Sequence, residues 1–146
     1  MTEKEKMISG QIYQPWDKEL TTDRENAKDL CFKLNQTLPS DREARADILH
    51  ELLDLEGSAW IESPFNCDYG YNIKAGNGFY ANHGCTILDA APVTFGNDCL
   101  LAPGWLFPPL PTQLIPKGVR LEMNTRWQSL SETMSGLAPM SLFARA

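Results

Sequence analysis

The stretch NIKAGNGFYANHGCTILDAAPVTFGNDCLLAPG, residues 72–104, repeats small or apolar residues every sixth position. The leading positions are Ile73, Phe79, Cys85 and, after a two-residue slip, Val93 and Cys99. Two places after each leading position comes another small or apolar residue: Ala75, Ala81, Ile87, Phe95 and Leu101. Gly, Asn and Pro fill the turns between them. This spacing predicts a parallel β-helix of hexapeptide repeats, whose stacked coils bury one continuous core.

Two other all-β arrangements use the same kinds of residue. Gly/Asn turns between short apolar runs are also typical of β-hairpins, and a small β-sandwich is the runner-up fold. The regular register of five hexads favours the β-helix over the hairpins. Three flat faces in each coil would distinguish the β-helix from the sandwich.

The part of the chain before the repeat has the pattern of a small helical domain. Residues 1–56 place apolar side chains at helical spacing, one stripe to each helix. A short helix is predicted to end at Gly10. Thr22 and Glu25 form a capping-box pattern that predicts the start of a second helix, and Ser40 is the predicted N-cap of a third. These helices are expected to cap the repeat.

The composition of the chain argues against several classes of partner and indicates a compartment. The chain has 146 residues and a net charge of -6, which argues against nucleic acid or an anionic membrane as the main partner. The sequence has no apolar run of transmembrane length, and its polar start is unlike a secretory signal, so a cytoplasmic protein is expected. The four cysteines lack CxxC pairing and zinc spacing, which predicts buried thiols in a reducing compartment. A disulfide is the less favoured alternative.

The pattern changes abruptly near Gly104. Residues 1–104 carry 9 Lys and Arg against 17 Asp and Glu, a balance of -8, whereas residues 105–146 carry 4 against 2, a balance of +2. Four prolines then interrupt any regular element: Pro108, Pro109, Pro111 and Pro116. We therefore predict a helical domain at 4–58, an incomplete β-helix at 59–104 and an aberrant, poorly ordered tail at 105–146.

Two blocks of the sequence carry a family resemblance. EKMISGQIY at 5–13 and FNCDYGYNIKAGNGFYANHGCTILDAAPVTFGNDCLLAPG at 65–104 resemble the maltose/galactoside O-acetyltransferase family, and the likeness extends over residues 4–104. The resemblance implies a left-handed parallel β-helix preceded by helices. It also implies homotrimers with active sites between subunits, and acetyl transfer from acetyl-CoA to a sugar hydroxyl, as in maltose, glucose or a galactoside. In the family, a histidine of a TATHP-like block is the general base.

The same resemblance suggests residues for binding the acceptor. Asp17, Asp68 and Asn82 match acceptor-site positions, and short polar side chains of this kind can fix hydroxyl groups. Asp89 is a weaker candidate, because the family's acidic pair there is reduced to a single acid. Each of the four is also a residue type common in turns, so a structural role is the alternative. His83 is interpreted as a corner or trimer-interface residue, because the family usually has an aromatic residue there.

The family pattern is missing after Gly104, and no histidine follows His83. Back-translated and read one base earlier, residues 104–116 can encode VVISTATHPTDP, and residues 130–139 can encode VRDNVWIGA. The hypothesis is a one-base shift near codons 104–105, and a genuine C-terminal module is the competing view. Without the general base and the coils that bind CoA, little turnover is predicted. The alternative is a non-catalytic protein that binds a sugar or assembles with full-length relatives.

Overall fold

Three helices come first in the chain. The computed structural model describes residues 1–107 and the backbone of residues 121–123. The helices are α1 (Glu3–Ile8), α2 (Lys18–Gln36) and α3 (Arg42–Leu52). In α1, the Thr2 side chain accepts from the backbone N–H of Glu5 while the Glu5 carboxylate accepts from that of Thr2, which is a complete capping box.

Two predicted helix starts were wrong. Helix α2 begins at Lys18 rather than at Thr22, because Asp17 is its N-cap and accepts from Glu19 N at 2.9 Å. The Thr22 hydroxyl lies inside the helix and donates to Lys18 O. Helix α3 is capped by Asp41, not by Ser40. In both cases a carboxylate, which is as good an N-cap as a hydroxyl, sets the start of the helix.

Within the described residues, ten short strands follow the helices, and all of them are paired in parallel. They are β1 (Asp54–Leu55), β2 (Ala59–Ile61), β3 (Phe65–Cys67), β4 (Ile73–Ala75), β5 (Phe79–Ala81), β6 (Cys85–Ile87), β7 (Val93–Phe95), β8 (Leu100–Leu101), β9 (Leu106–Phe107) and β10 (Leu121–Met123). Sheet 1 has the order β1-β4-β7-β10, sheet 2 the order β2-β5-β8 and sheet 3 the order β3-β6-β9. The chain visits the three sheets in turn, which makes a three-faced β-helix with β1–β3 as its first coil, β4–β6 as its second and β7–β9 as its third.

The predicted inward positions form the core of this β-helix. All ten are at most 3% exposed: Ile73, Phe79, Cys85, Val93, Cys99, Ala75, Ala81, Ile87, Phe95 and Leu101. Successive coils stack in register, with Ile73 opposite Val93 and Phe65 opposite Cys85. The middle residue of each strand from β4 to β7 is only partly buried, because it points outward. The six-residue pattern therefore predicted the coil core correctly.

The parallel pairing continues beyond Gly104. Leu106 and Phe107 form β9, which pairs with β6, and Phe107 is 4% exposed. The Trp105 ring packs between the rings of Phe95 and Phe107, at centroid distances of 6.2 and 5.8 Å. Residues 108–120 and 124–146 lie outside the described residues, and so does the prediction of poor order for them.

Candidate functional site

Three of the four predicted site residues lie at two different corners of the β-helix, and the fourth, Asp17, lies at the start of α2. Asp68 follows β3 and Asp89 follows β6, so both lie where the chain passes from sheet 3 to sheet 1. Asn82 follows β5, where the chain passes from sheet 2 to sheet 3. The structure brings Asp68 and Asp89 together and leaves Asn82 at another corner of the same chain.

The loop between α1 and α2 is joined to the Asp68 corner by Arg24. One guanidinium nitrogen donates to Pro15 O at 2.6 Å, and the other donates to the Tyr69 hydroxyl at 2.6 Å. Arg24 therefore holds together the loop that ends at Asp17 and the residue that follows Asp68. Asp17 itself is half-buried, and its carboxylate is engaged as the N-cap of α2.

A small apolar cluster supports the same corner. Met7 of α1, Leu20 of α2 and Tyr69 are each at most 5% exposed, and the rings of Tyr13 and Tyr71 pack against them. This cluster is separate from the β-helix core. It fixes α1 and the following loop against the corner, so the polar side chains beside it are held on a packed support.

Asp68 is the half-exposed acid at the centre of this arrangement. Burial raises the pKa of the Asp68 carboxyl above its usual value, while the charges of Arg24 and Lys28 oppose this rise. Tyr13 is also close enough that the Asp68 charge helps to raise the pKa of its hydroxyl, although burial is the larger cause. The corner thus places one half-buried carboxylate near two phenols and two cations, and the Tyr69 phenol among them is buried and bonded to Arg24.

Asp89 is completely buried beneath Asp68. Its Oδ1 accepts from Asp68 N at 3.0 Å and from Tyr69 N at 2.9 Å, and its backbone oxygen accepts from Asn72 Nδ2 at 2.7 Å. Its other carboxylate oxygen has no hydrogen-bond partner among the described residues. With these contacts, Asp89 positions the backbone of Asp68.

The burial of Asp89 predicts a pH-dependent stability. Burial is the main cause that raises the pKa of Asp89 from 3.8 to about 6, against the backbone N–H groups of Tyr69 and Asp68, which lower it. Between about pH 4 and pH 6 the folded state therefore binds more protons than the unfolded state, and the free energy of unfolding falls as pH rises. We expect the whole fall, from well below pH 4 to above pH 6, to be about 3 kcal/mol for Asp89, at about 1.4 kcal/mol per pKa unit, with about 2 kcal/mol of it between pH 4 and pH 6.

Urea unfolding at several pH values, with Asp89→Asn as the reference, isolates this effect. Asparagine keeps an oxygen that can accept from Asp68 N and Tyr69 N but has no charge to titrate. The stability difference between the native chain and the variant should decline from about pH 4 to pH 6 and then stay level. A difference that rises with pH would mean that the folded protein stabilises the Asp89 carboxylate instead.

The Asn82 corner contains a polar cluster of its own. Asn82 Oδ1 accepts from His83 N at 2.8 Å, which is a local turn contact. The Glu62 carboxylate accepts from Trp60 Nε1 at 2.9 Å and from the Tyr80 hydroxyl at 3.3 Å. His83 is exposed; its Nδ1 lies 2.6 Å from Ser63 O, and its Nε2 lies 4.0 Å from Glu62 Oε2. These contacts agree with the interpretation of His83 as a corner residue.

Arg24, Lys28, Tyr13 and Tyr69 were not predicted as site residues. Arg24 lies seven residues after Asp17, two helical turns along α2, so a signal for a shared face was present in the sequence. Its partner Tyr69 is 45 residues away along the chain, and no local pattern reveals that contact.

Two kinds of feature are absent from the part of the chain that the structure describes. Among residues 1–107 and 121–123, no three or more His, Cys, Asp or Glu side chains come together as a metal site. None of the helices in this part is both long and apolar enough to cross a membrane.

Comparisons with known proteins identify the family. Residues 6–55 match the maltose acetyltransferase hexapeptide capping motif. The chain is similar to the crystal structure of a maltose O-acetyltransferase from Clostridium difficile, with 42% identity and a TM-score of 0.71, over 73% of this chain and 57% of that one. The chain belongs to the maltose/galactoside acetyltransferase family. The predicted fold is confirmed with it: a left-handed parallel β-helix preceded by helices.

Two further relatives agree with this membership. A galactoside acetyltransferase solved with coenzyme A has 34% identity and a TM-score of 0.65, over 70% of this chain and 52% of that one. A Staphylococcus haemolyticus protein named as an acetyltransferase is 51% identical over 92 residues, which are 61% of this chain and 47% of the relative. The chain spans about half the length of the curated relatives that it matches.

Proposed function

We propose that this chain contains the acceptor-binding part of an acetyl-CoA-dependent O-acetyltransferase that acts on a sugar hydroxyl, such as one of maltose, glucose or a galactoside. The observation that carries the proposal is the Asp68 corner, where a carboxylate, Arg24 and Tyr69 are held on a packed support. The names of the similar structures, a maltose and a galactoside acetyltransferase, support the acceptor class. The coenzyme A in the second of these supports acetyl-CoA as the donor.

The roles of the residues follow from their geometry. The half-exposed Asp68 carboxylate can accept hydrogen bonds from acceptor hydroxyl groups, which makes it the principal binding group. Asp89 holds the backbone of Asp68 through Oδ1, and Arg24 fixes the Tyr69 hydroxyl beside it. Asp17 keeps the α1–α2 loop in place by capping α2. In this proposal Asp68 contacts the acceptor, while the other three position the site.

The separate location of Asn82 supports a site shared between copies of the chain. Asn82 and Asp68 lie at different corners of one β-helix, so a single chain does not present both to one small acceptor. We propose a homotrimer in which the Asn82 corner of one subunit faces the Asp68 corner of its neighbour. The four buried, reduced cysteines support the proposal that the protein works in a reducing compartment such as the cytoplasm.

A second candidate function is acceptor binding without turnover. Neither of the two histidines in the sequence lies at the Asp68 corner of its own subunit: His50 is exposed on α3, and His83 is at the Asn82 corner, with Nδ1 2.6 Å from Ser63 O. General-base catalysis contributes about a hundredfold to ten-thousandfold, so a site at which the neighbouring subunit's His83 does not serve as the base should retain little acetyl transfer. Such a protein could still bind a sugar or assemble with full-length relatives.

The substitution Asp68→Asn tests the acceptor site. We expect it to weaken maltose or galactoside binding at least about tenfold, because a hydrogen bond to a charged acceptor contributes about 1.5–3 kcal/mol. Calorimetry or NMR titration of the full chain measures this change. Asp47→Asn, on an exposed position of α3, is the matched control and should bind like the native chain. Equal binding by Asp68→Asn and Asp47→Asn would refute the proposed role of Asp68.

Thiol release from acetyl-CoA, measured in the same preparations, separates the two candidate functions. Sugar binding with little or no thiol release would favour the binding protein, whereas sugar-dependent thiol release would favour the enzyme. If the native chain neither binds these sugars nor releases thiol, the proposed function itself is wrong.

A further inference from the structure

Two thiols meet at the junction between the helices and the β-helix. Cys31 lies in α2 and Cys67 is the last residue of β3, yet their Sγ atoms are 3.7 Å apart. Both side chains are nearly completely buried, at 3% and 5% exposure. The Cys85 thiol, by contrast, donates to Ala102 O within the β-helix. Cys31 and Cys67 are therefore a distinct pair that joins two parts of the fold.

We propose that Cys31 and Cys67 are a redox modification site, which a hydroperoxide oxidises to a disulfide that links α2 covalently to the first coil. A disulfide has an S–S length of about 2.05 Å, so the two sulfur atoms must approach by less than about 2 Å. Neither sulfur has to leave the junction for this to happen. The link closes a chain segment of 36 residue steps, which is long enough to restrict the unfolded chain substantially.

The oxidation balances with one hydroperoxide. The Cys31 sulfur attacks the peroxide, the O–O bond breaks, and Cys31 becomes a sulfenic acid as water or an alcohol leaves. The Cys67 sulfur then attacks the Cys31 sulfur, the S–S bond forms, and the S–O bond breaks to release water. The two thiol protons end in the released products, and the two electrons lost by the sulfur pair reduce the peroxide.

The contact between the two thiols bears on the order of these steps. The hydrogen bond with Cys67 lowers the pKa of the Cys31 thiol, whereas that interaction and burial raise the pKa of the Cys67 thiol. The negative charge of the buried Asp89 carboxyl raises the pKa of both thiols. Cys31 is accordingly assigned the first reaction with the peroxide, and the same disulfide forms in either order.

The bond would act on the Asp68 corner. Cys67 directly precedes Asp68, and α2 carries both Cys31 and Arg24. Oxidation would therefore join the helix that supplies Arg24 to the strand that ends immediately before Asp68. This regulatory consequence rests on the proposed function, but the covalent link does not, so the two can fail separately.

Peptide mapping tests the link on the full chain. The folded protein is treated with hydrogen peroxide, its remaining thiols are alkylated in denaturant, and the digest is analysed by mass spectrometry. We expect a cross-linked peptide that joins Cys31 to Cys67, a mass lower by two hydrogens, and alkylation of Cys85 and Cys99. Four alkylated thiols, pairing with Cys85 or Cys99, or sulfinic acid at Cys31 would each overturn the proposal.

Thermal unfolding supplies a second readout. The oxidised chain should have a Tm higher by about 5 °C or more, and dithiothreitol should reverse the shift. Cys31→Ala and Cys67→Ala should each abolish the peptide and the shift, while the double variant Cys85→Ala/Cys99→Ala should retain both. If either set of variants fails to fold, the Tm of the peroxide-treated native chain is compared with and without dithiothreitol. An unchanged Tm in that comparison would count against the disulfide.

Discussion

We expect the substitution Phe79→Ala to lower the free energy of unfolding by about 3–5 kcal/mol. Phe79 is 1% exposed at the centre of the second coil, and its ring lies 5.0 Å from the ring of Phe95 in the third. The smaller side chain loses both the transfer free energy of a buried ring and its contact with the next coil. In a stacked fold, each coil is supported mainly by its neighbours, so a cavity at one coil also weakens the next.

Chemical denaturation measures this loss of stability, and two further variants show whether it comes from the buried ring. Phe79→Leu should lower the free energy of unfolding clearly less than Phe79→Ala does, because leucine fills most of the space that the ring occupies. Phe32→Ala is the matched control: Phe32 is 68% exposed on α2, and its removal should change stability by no more than about 0.5 kcal/mol. If Phe79→Ala and Phe32→Ala lower the free energy of unfolding by the same amount, the second and third coils do not share a core.

The sequence predicted the β-helix well because its core follows a strict local period. Each inward position, such as Ile73 or Phe95, is set by its own hexad and does not depend on distant residues. Helix starts were less predictable, because Asp17 and Asp41 compete with nearby hydroxyl residues as N-caps. A short-range pattern shows that a cap is present, but it does not decide between neighbouring residues that can all accept the same N–H.

The candidate site was only partly predictable for a different reason. The resemblance picked out Asp68 and Asp89, and the structure shows that they share a corner, where Asp68 is half-buried and Asp89 is completely buried. Their difference in burial comes from stacking between coils, which a single hexad does not encode. The same applies to Arg24, whose contact with Tyr69 joins a helix to a coil. These features depend on contacts between segments that are distant in sequence, so a local sequence pattern could not predict them.

The helices are joined to the β-helix by Arg45 of α3, a residue that no sequence motif indicated. Its guanidinium is 2% exposed and donates to Leu34 O and Thr37 O at the end of α2, and to Ile61 O at the end of β2. It also lies 5.4 Å from the ring centroid of Trp60. The Arg45 guanidinium thus donates hydrogen bonds to carbonyl groups at the end of α2 and at the end of β2, two segments that are not paired with each other through their backbones.

We expect Arg45→Ala to lower the free energy of unfolding by about 3–5 kcal/mol, as measured by urea unfolding. The variant leaves a cavity, and buried carbonyl groups lose their donor at a cost of about 1–3 kcal/mol each. The buried charge itself is costly, and its removal offsets part of this loss. Arg45→Met separates the contributions, because methionine fills space without donating, so it should lose about 2 kcal/mol through the carbonyl groups.

Arg42→Ala provides the matched control on the same helix. Arg42 is exposed and lies 5.8 Å from the same Trp60 ring, so the variant removes a similar cation–π contact but no buried hydrogen bond. Its cost should be about 0.5–1 kcal/mol. If Arg45→Met is as stable as the native chain, the hydrogen bonds of Arg45 contribute nothing net, and apolar packing alone holds α2 and α3 on the first coil. If it is clearly less stable than Arg42→Ala, the forked guanidinium joins the two parts of the fold.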